Sequence, residues 1–437
     1  MSLFLLIILI LLFIVLILFS RVFSPSFLHP IRLIIIFWAM IIVLPVFYWM
    51  QRSDFSGGSY FWIVGFLFFM ELGATVCKRS YGSQFASGEI KESILANGRS
   101  KSWIYLKAIV ILGFVSVVVT LITNGIQLSS VFSINGILNV NTYYSSYRSS
   151  GRIANASMFS QILSLFIYLS ALCGGYCFNY ANAFDKSKRL WCVISIFPAI
   201  LITLLTSGKS GTIASAILWL CAWCVSRAEM YGCLPRVSFK IIRRVSILAI
   251  VLLGLLYLAM LLRVGDFSVG TRQAILNKLY TYAFGQTLNF DLWFTRDAKL
   301  LGDGLGYNTY MVLPHILGIG NRISGVYYVI AGSAGNVFTA FRGVIQDFGI
   351  IGGLLFGFLK GFITEYAYLM VCRKDSLHGN NSKAVLFAEY FWGIYAFIIS
   401  AWIYTSYFLM PFAFGIFLYF YHRALIVRIR VRAHARQ

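Results

Sequence analysis

Runs of roughly 20 residues with almost no charge recur along the whole chain, separated mostly by short polar or basic stretches. No other feature limits the fold as much. A run of that length crosses the hydrocarbon of a bilayer as a helix, and a chain built from many of them could not hide its apolar surface in a water-soluble fold. Composition agrees: 59% of the 437 residues are hydrophobic and only 11% are charged, far from the balance of a soluble protein. The expected fold class is an all-α polytopic membrane protein, a single membrane domain over 1–437. It should have about 11 transmembrane helices, within a range of roughly 10 to 14.

The spans are expected at about 2–20, 32–50, 59–76, 104–123, 156–178, 190–206, 212–226, 245–262, 348–371, 385–403 and 406–422. The first lacks the basic start and small-residue cleavage site of a signal peptide and is read as a retained helix. Pro45 is expected to kink the second. Orientation follows from lysine and arginine, which gather in cytoplasmic loops. The segment 77–102 carries Lys78, Arg79, Lys91, Arg99 and Lys101, and later basic groups lie at Lys186–Arg189, Arg227–Arg244, Arg373–Lys374 and from Arg423 onward. Setting these inside places the N-terminus outside and the C-terminus in the cytoplasm.

The same rule accounts for much of the formal charge of +22. The basic residues are divided among short loops and not gathered in one domain, so nucleic acid is not expected as a partner. The eight cysteines are scattered, mostly in or beside apolar runs. Cys221 and Cys224 have CxxC spacing, yet inside a span they lack a second pair of ligands, so packing is expected and no metal. None lies in 263–347, which excludes a disulfide framework there. No internal repeat recurs at a fixed period, which weighs against a secondary transporter built from matched halves.

The long polar segment is 263–347. Loops of that length are usually functional or disordered, and this one carries enough aromatic and aliphatic residues to bury itself. It reads as a partly folded, membrane-apposed periplasmic loop holding the chemistry, with 125–155 as a second outer loop. Against the topology rule, the outer side carries Arg148, Arg152, Lys209, Arg263, Arg272, Arg322 and Arg342, with Lys278, Arg296 and Lys299 deeper in the long loop. Cations placed there suit a phosphate-bearing ligand, since the guanidinium fork donates two hydrogen bonds at once. Ion pairs with Asp266, Asp291, Asp297 and Asp303, or lipid headgroups, are the alternative for any one of them. Lys209 sits in a Gly/Ser turn, where it binds a ligand or snorkels to headgroups. His315 is the only outer histidine in this topology, a base or a structural group. Asp347, at the start of a span, either caps that helix or takes a proton from a sugar hydroxyl. Glu71, Glu365 and Glu389 lie within spans, at their ends or near Lys and Arg, and leave a proton-coupled transporter open.

The block Gly335-Asn336-Val337-Phe338-Thr339-Ala340-Phe341-Arg342, followed by Gln346-Asp347-Phe348-Gly349-Ile350-Ile351-Gly352, resembles the signature of Wzy-type O-antigen and capsule repeat-unit polymerases. Phe290-Asp291 and Gly302-Asp303-Gly304-Leu305-Gly306 resemble what precedes it in that family, and Thr206–Gly211 resembles its Gly/Ser turn, with Lys209 where an Arg is usual. The resemblance implies a GT-C-like glycosyltransferase of the bacterial inner membrane. Such an enzyme transfers the growing glycan from undecaprenyl pyrophosphate to an incoming lipid-linked repeat unit at the periplasmic face. It implies no nucleotide sugar, metal or other cofactor. Its implied partners are undecaprenyl-pyrophosphate-linked oligosaccharides, membrane lipids and a chain-length regulator. Arg342, Asp347 and His315 are then the catalytic candidates. Arg148, Arg152, Lys209, Arg263, Arg272, Arg322 and Asn336 are candidates for pyrophosphate and sugar. O-antigen ligases share the layout, but the 335–352 block favours the polymerase. A flippase or exporter of lipid-linked sugars would show matched halves and charges lining the mid-membrane.

Overall fold

A computed structural model describes residues 2–434 except 23–25, 53, 83–102, 124, 150–157, 183–185, 207–208, 232–233, 235–238, 305, 319–330, 334–336 and 374–378. The described residues are helical, with no strand. Among the described residues seven helices are long and apolar enough to cross a membrane: Pro30–Trp49, Gly58–Tyr81, Trp103–Thr123, Ile162–Ala181, Lys186–Leu205, Gly211–Tyr231 and Ala340–Cys372. Leu3–Phe19 and Leu253–Leu262 are shorter apolar helices.

The expected single domain comes as two compact units. The first comprises Met1–Gly88, Tyr231–Val237 and Lys278–Leu409; the second comprises Glu89–Met230, Ser238–Asn277 and Met410–Gln437. In chain order the helices are α1 (Leu3–Phe19), α2 (Pro30–Trp49), α3 (Gly58–Tyr81), α4 (Trp103–Thr123), α5 (Ile134–Ser149), α6 (Met158–Asn182), α7 (Lys186–Ile194), α8 (Phe197–Thr206), α9 (Lys209–Tyr231), α10 (Phe239–Val264), α11 (Val269–Asp297), α12 (Val312–Ile316), α13 (Ala340–Cys372), α14 (Asn380–Tyr395) and α15 (Thr405–His434).

The first unit is organised on the contact between α3 and α13. Gly353, Gly357 and Gly361 recur at every fourth residue of α13 and form one face. A Cβ on Gly353 would come 2.7 Å from the Trp62 ring, one on Gly357 would come 2.9 Å from the Phe66 carbonyl, and one on Gly361 would overlap the Met70 carbonyl. Gly73 of α3 approaches the Phe358 carbonyl in the same way. The paired positions advance together, so the two helices run parallel with their backbones nearly touching. In a membrane, where helices gain nothing by hiding apolar surface from lipid, such small-residue faces let helices pack. Above this seam Trp62, Phe66 and Trp392 surround Phe341, with ring centres 5.5, 4.8 and 6.4 Å from it. α14 is tied to α2 by Trp38 Nε1, which donates to the Gly393 carbonyl (3.0 Å).

In the second unit α6 packs between α4, α7 and α9. Gly174 meets Ser195, and Gly175 meets the Trp219 backbone. Val117, Leu121, Ile167, Ala199 and Leu205 form a buried cluster.

Four expectations change. The run 190–206 remains part of one candidate crossing, Lys186–Leu205, but a turn at Ser195–Ile196 divides it into α7 and α8, where Pro198 cannot donate to a preceding turn. The tenth expected span, α14, stops at Tyr395, well short of 403. There the Ala396 carbonyl accepts from Ala340 N–H (2.8 Å) and Ser400 Oγ donates to the Thr309 carbonyl (2.7 Å), which draws the chain off the helical path. The ninth expected span, α13, starts at Ala340, before 348, and turns at Gly349, whose φ of 74° and ψ of 178° interrupt the helical path. Among the described residues of 263–347, a 29-residue helix, α11, replaces the first part of the expected loop, and α12 and the start of α13 add further helix. Pro45 lies inside α2 without ending it.

Candidate functional site

The site is built in the first unit from the end of α11 upward. Every residue from Gln286 to Trp293 is buried, so this stretch is enclosed on all sides and its polar groups need partners. Asp291 finds them at the start of α3. Its carboxylate accepts from the backbone N–H of Ser56 (2.8 Å), Gly57 (3.0 Å) and Ser59 (3.2 Å), and from Ser59 Oγ (2.9 Å). A carboxylate at a helix N-terminus is favoured by the unpaired N–H groups there. Asn289 Nδ2 donates to the Val337 carbonyl (2.8 Å), which holds the strand-like entry to α13.

The segment 299–309 then lies along residues 346–350. Asp303 N–H donates to the Gln346 carbonyl (3.1 Å), and Ile350 N–H donates to the Lys299 carbonyl (3.0 Å). Asp347 closes the contact. Its Oδ1 accepts from Asn308 N–H (3.0 Å) and Asn308 Nδ2 (2.9 Å), and its Oδ2 accepts from Thr309 N–H (2.6 Å). Gly304 is needed here, because a Cβ would overlap Asp347 Oδ1. Gly349 is needed twice over, for its positive φ and because a Cβ would overlap the Leu300 carbonyl. Asp347 therefore does not cap its own helix, as one reading of the sequence had it. It accepts the amides of the 308–309 turn.

Arg342 is completely buried, with its guanidinium 4.4 Å from the Phe338 ring centre and 5.2 Å from that of Trp293. Trp293 also faces a cleft of about 560 Å³ lined by Arg296, Asp297, Ala298, Lys299, Asp303, Asn308, Ile345 and Gln346, a size typical of small-ligand sites. Its charges balance, two cations against two carboxylates. Lys299 Nζ lies 2.9 Å from Asp303 Oδ2, and this bond to Lys299 holds the exposed Asp303 carboxyl below its usual range. Arg296 Nη1 donates to the Ala331 carbonyl (3.1 Å). The cleft offers hydrogen-bond donors and acceptors side by side, chemistry suited to a polyhydroxylated ligand.

Of the candidates read from sequence, Arg342 and Asp347 fall together behind this cleft. His315 lies in α12. Arg148 lies near the end of α5, Lys209 opens α9, Arg263 lies near the end of α10, and Arg272 lies in the first turn of α11. All four belong to the second unit. Arg272 is exposed, and its Nε donates to the Phe267 carbonyl (2.9 Å). Arg152, Arg322 and Asn336 lie outside the described residues. Sequence reading did not single out Asn308, quoted Gln346 and Asp303 only within the resembling stretches, noted Trp293 only as one of many outer aromatics, and treated Arg296 and Lys299 only as scattered charges. The spacing of Trp293, Arg296 and Asp297, on one face of a helix, was the available signal. Compared with models of known protein families, with curated proteins and with solved structures, the chain matches none.

Proposed function

We propose that this protein polymerises lipid-linked oligosaccharide repeat units. In this reading it is a GT-C-like glycosyltransferase of about 11 spans in the bacterial inner membrane. It moves the growing glycan from undecaprenyl pyrophosphate to an incoming unit at the periplasmic face. The observation that supports this best is the joining of Gly302–Gly306, Gln346–Gly352 and Trp293 around one charge-balanced cleft. Gly302–Gly306 and Gln346–Gly352 are stretches whose resemblance to Wzy-type polymerases was drawn from sequence. A neutral cleft rich in paired donors and acceptors suits sugar hydroxyls better than a bare phosphate.

The roles divide accordingly. Arg296, Lys299, Asn308 and Gln346 hold sugar hydroxyls, and Asp297 and Asp303 accept from them. The base for the acceptor hydroxyl is His315 or one of these cleft carboxylates. Asp347 and Arg342 are positioning residues, one holding the 308–309 turn and the other supporting Trp293. Arg148, Arg152, Lys209, Arg263, Arg272, Arg322 and Asn336 remain candidates for the pyrophosphate, and a chain-length regulator is the expected protein partner.

The test is complementation of a host lacking its repeat-unit polymerase, with membrane levels of each variant checked and surface polysaccharide resolved on a gel. The wild type should restore a ladder. Asp303→Ala and Arg296→Ala should shorten it or reduce it to a single repeat at equal protein level. If the wild type leaves unpolymerised single repeats, the proposal fails.

A further inference from the structure

Arg52 and Asp54 lie in the connection between α2 and α3, outside the residues that line the cleft. That connection is a fixed platform. The buried Asp291 carboxylate of α11 accepts from its Ser56 and Gly57 N–H groups (2.8 and 3.0 Å). Ser56 Oγ also lies 2.9 Å from Thr295 Oγ1, one turn further along α11. From this platform the Arg52 guanidinium reaches two partners. Its Nε and Nη2 donate to Asp54 Oδ1 (2.9 Å) and Oδ2 (2.7 Å), so the planar fork meets both carboxylate oxygens. Nη2 also donates to the Gly332 carbonyl (2.9 Å).

The preceding carbonyl, that of Ala331, accepts from Arg296 Nη1 (3.1 Å). Two successive carbonyls are thus held by two guanidinium groups, one from the α2–α3 connection and one from α11. The turn sits tightly on the ion pair. Gly332 has a φ of 85°, and a Cβ there would come 2.8 Å from Asp54 Oδ2 and 3.4 Å from Arg52 Nη2, so both its conformation and the space require glycine. The Asp54 carboxyl is held below its usual range, first by the bond from Arg52, and Arg296 adds to that shift, so Arg296 lies within electrostatic reach of it.

Stability alone does not account for this arrangement. The pair is about a third exposed, 36% for Arg52 and 31% for Asp54, and ion pairs at such sites return little. What the arrangement fixes is Arg296. An exposed arginine gives up rotamer freedom when it is held in one geometry. The Ala331 carbonyl can hold it only if that carbonyl is itself fixed, and Arg52 fixes it through the next peptide. With Nη1 engaged there, the remaining donors of the guanidinium serve the cleft that Arg296 lines.

We propose that Arg52, paired with Asp54, is a positioning residue for the cleft: it seats the 331–332 turn and, through the Ala331 carbonyl, holds Arg296 in place to bind a sugar hydroxyl. This rests on reading the cleft as the site of a lipid-linked repeat unit. Arg296 is assigned there to hydroxyl binding and not to proton removal, so its placement serves substrate and transition state alike. Loss of such uniform binding raises KM and leaves kcat as it was.

The test uses the full chain in lipid nanodiscs. Initial rates of elongation are measured against the concentration of lipid-linked repeat unit extracted from a host lacking its polymerase. Arg52→Ala should raise KM about two- to tenfold, the range of one lost hydrogen bond, with kcat unchanged. Arg52→Lys, which keeps the charge but not the fork, should fall between Arg52→Ala and the wild type. In an Arg296→Lys background, where the guanidinium is already gone, Arg52→Ala should raise KM no further. An unchanged KM in Arg52→Ala, or an equal rise in both backgrounds, overturns the proposal. Full recovery by Arg52→Lys also overturns it, because charge alone would then suffice. A wild type that elongates nothing defeats the polymerase reading and this proposal with it, whereas an elongating wild type beside an Arg52→Ala protein of unchanged KM defeats this proposal alone. Should Arg52→Ala not fold, Asp54→Asn breaks the fork from the other side and is held to the same KM criterion.

Discussion

Asp347→Asn separates an anchoring role from a catalytic one. In the native site the carboxylate accepts three N–H groups, two from Asn308 and one from Thr309. Asparagine keeps the shape but replaces one acceptor oxygen with an NH₂ group, which then faces an amide donor. One backbone N–H loses its partner, joined in one orientation by the Asn308 side-chain N–H, each worth about 1–3 kcal/mol when buried. Thr309 is buried and Asn308 only partly so, so the lower half of that range applies to Asn308. The expected loss is about 2–4 kcal/mol, confined to the 299–309 segment. That corresponds to roughly thirty- to thousand-fold faster amide exchange at residues 308 and 309. The assay is hydrogen exchange read by mass spectrometry on the full chain in lipid nanodiscs, alongside the polysaccharide ladder. Both should change together. A lost ladder with unchanged exchange over 299–309 would refute the anchoring role and return Asp347 to the position of catalytic base.

Other consequences concern packing and charge. Gly361→Ala should destabilise the protein by about 3 kcal/mol or more and Gly357→Ala by less, because the first Cβ overlaps the Met70 carbonyl while the second comes 2.9 Å from that of Phe66; thermal unfolding of the purified protein in detergent checks the order. Trp293→Ala should cost about 3–5 kcal/mol through the cavity it leaves and disturb the Arg342 guanidinium, whereas Trp293→Phe should retain most of the ladder. The exposed Asp266 carboxyl is lowered to about 2, chiefly by its bond from Thr271 and then by those from Ser268. A depressed carboxyl stabilises above its ordinary value near 3.8 and loses that effect as pH falls toward 2. Protection of residues 268–272, corrected for the intrinsic pH dependence of amide exchange, should therefore stay constant through neutral pH and fall only in strong acid.

Much of the membrane architecture was legible because hydrophobicity alone decides it. Helices Pro30–Trp49, Gly58–Tyr81 and Trp103–Thr123 fall within a few residues of where apolar runs placed them, since a bilayer imposes length and apolarity without reference to partners. α11 was hidden for the converse reason. Its sequence reads as loop, and its stretch 286–293 is buried because α3, the turn before it and α13 pack against it. The positive-inside rule found the outer cations but could not sort them. Lys299 turned out to be paired with Asp303, as the alternative reading allowed, and Arg342 turned out to be wholly buried between rings.

Sequence by itself determined that this chain is a helical membrane protein, which residues are basic or apolar, and that 290–291, 302–306 and 335–352 carry the unusual motifs. Tertiary structure decided what those motifs do to one another. Gly349 turns α13 because the Leu300–Gly302 backbone lies against it, Asp347 turns away from its own helix to the amides of Asn308 and Thr309, and the glycine face of α13 seats on Trp62, Phe66 and Met70 of α3. Each is a contact between residues far apart in the chain. No local spacing encodes such contacts, because they exist only once two backbones approach closely enough for a single Cβ to keep them apart.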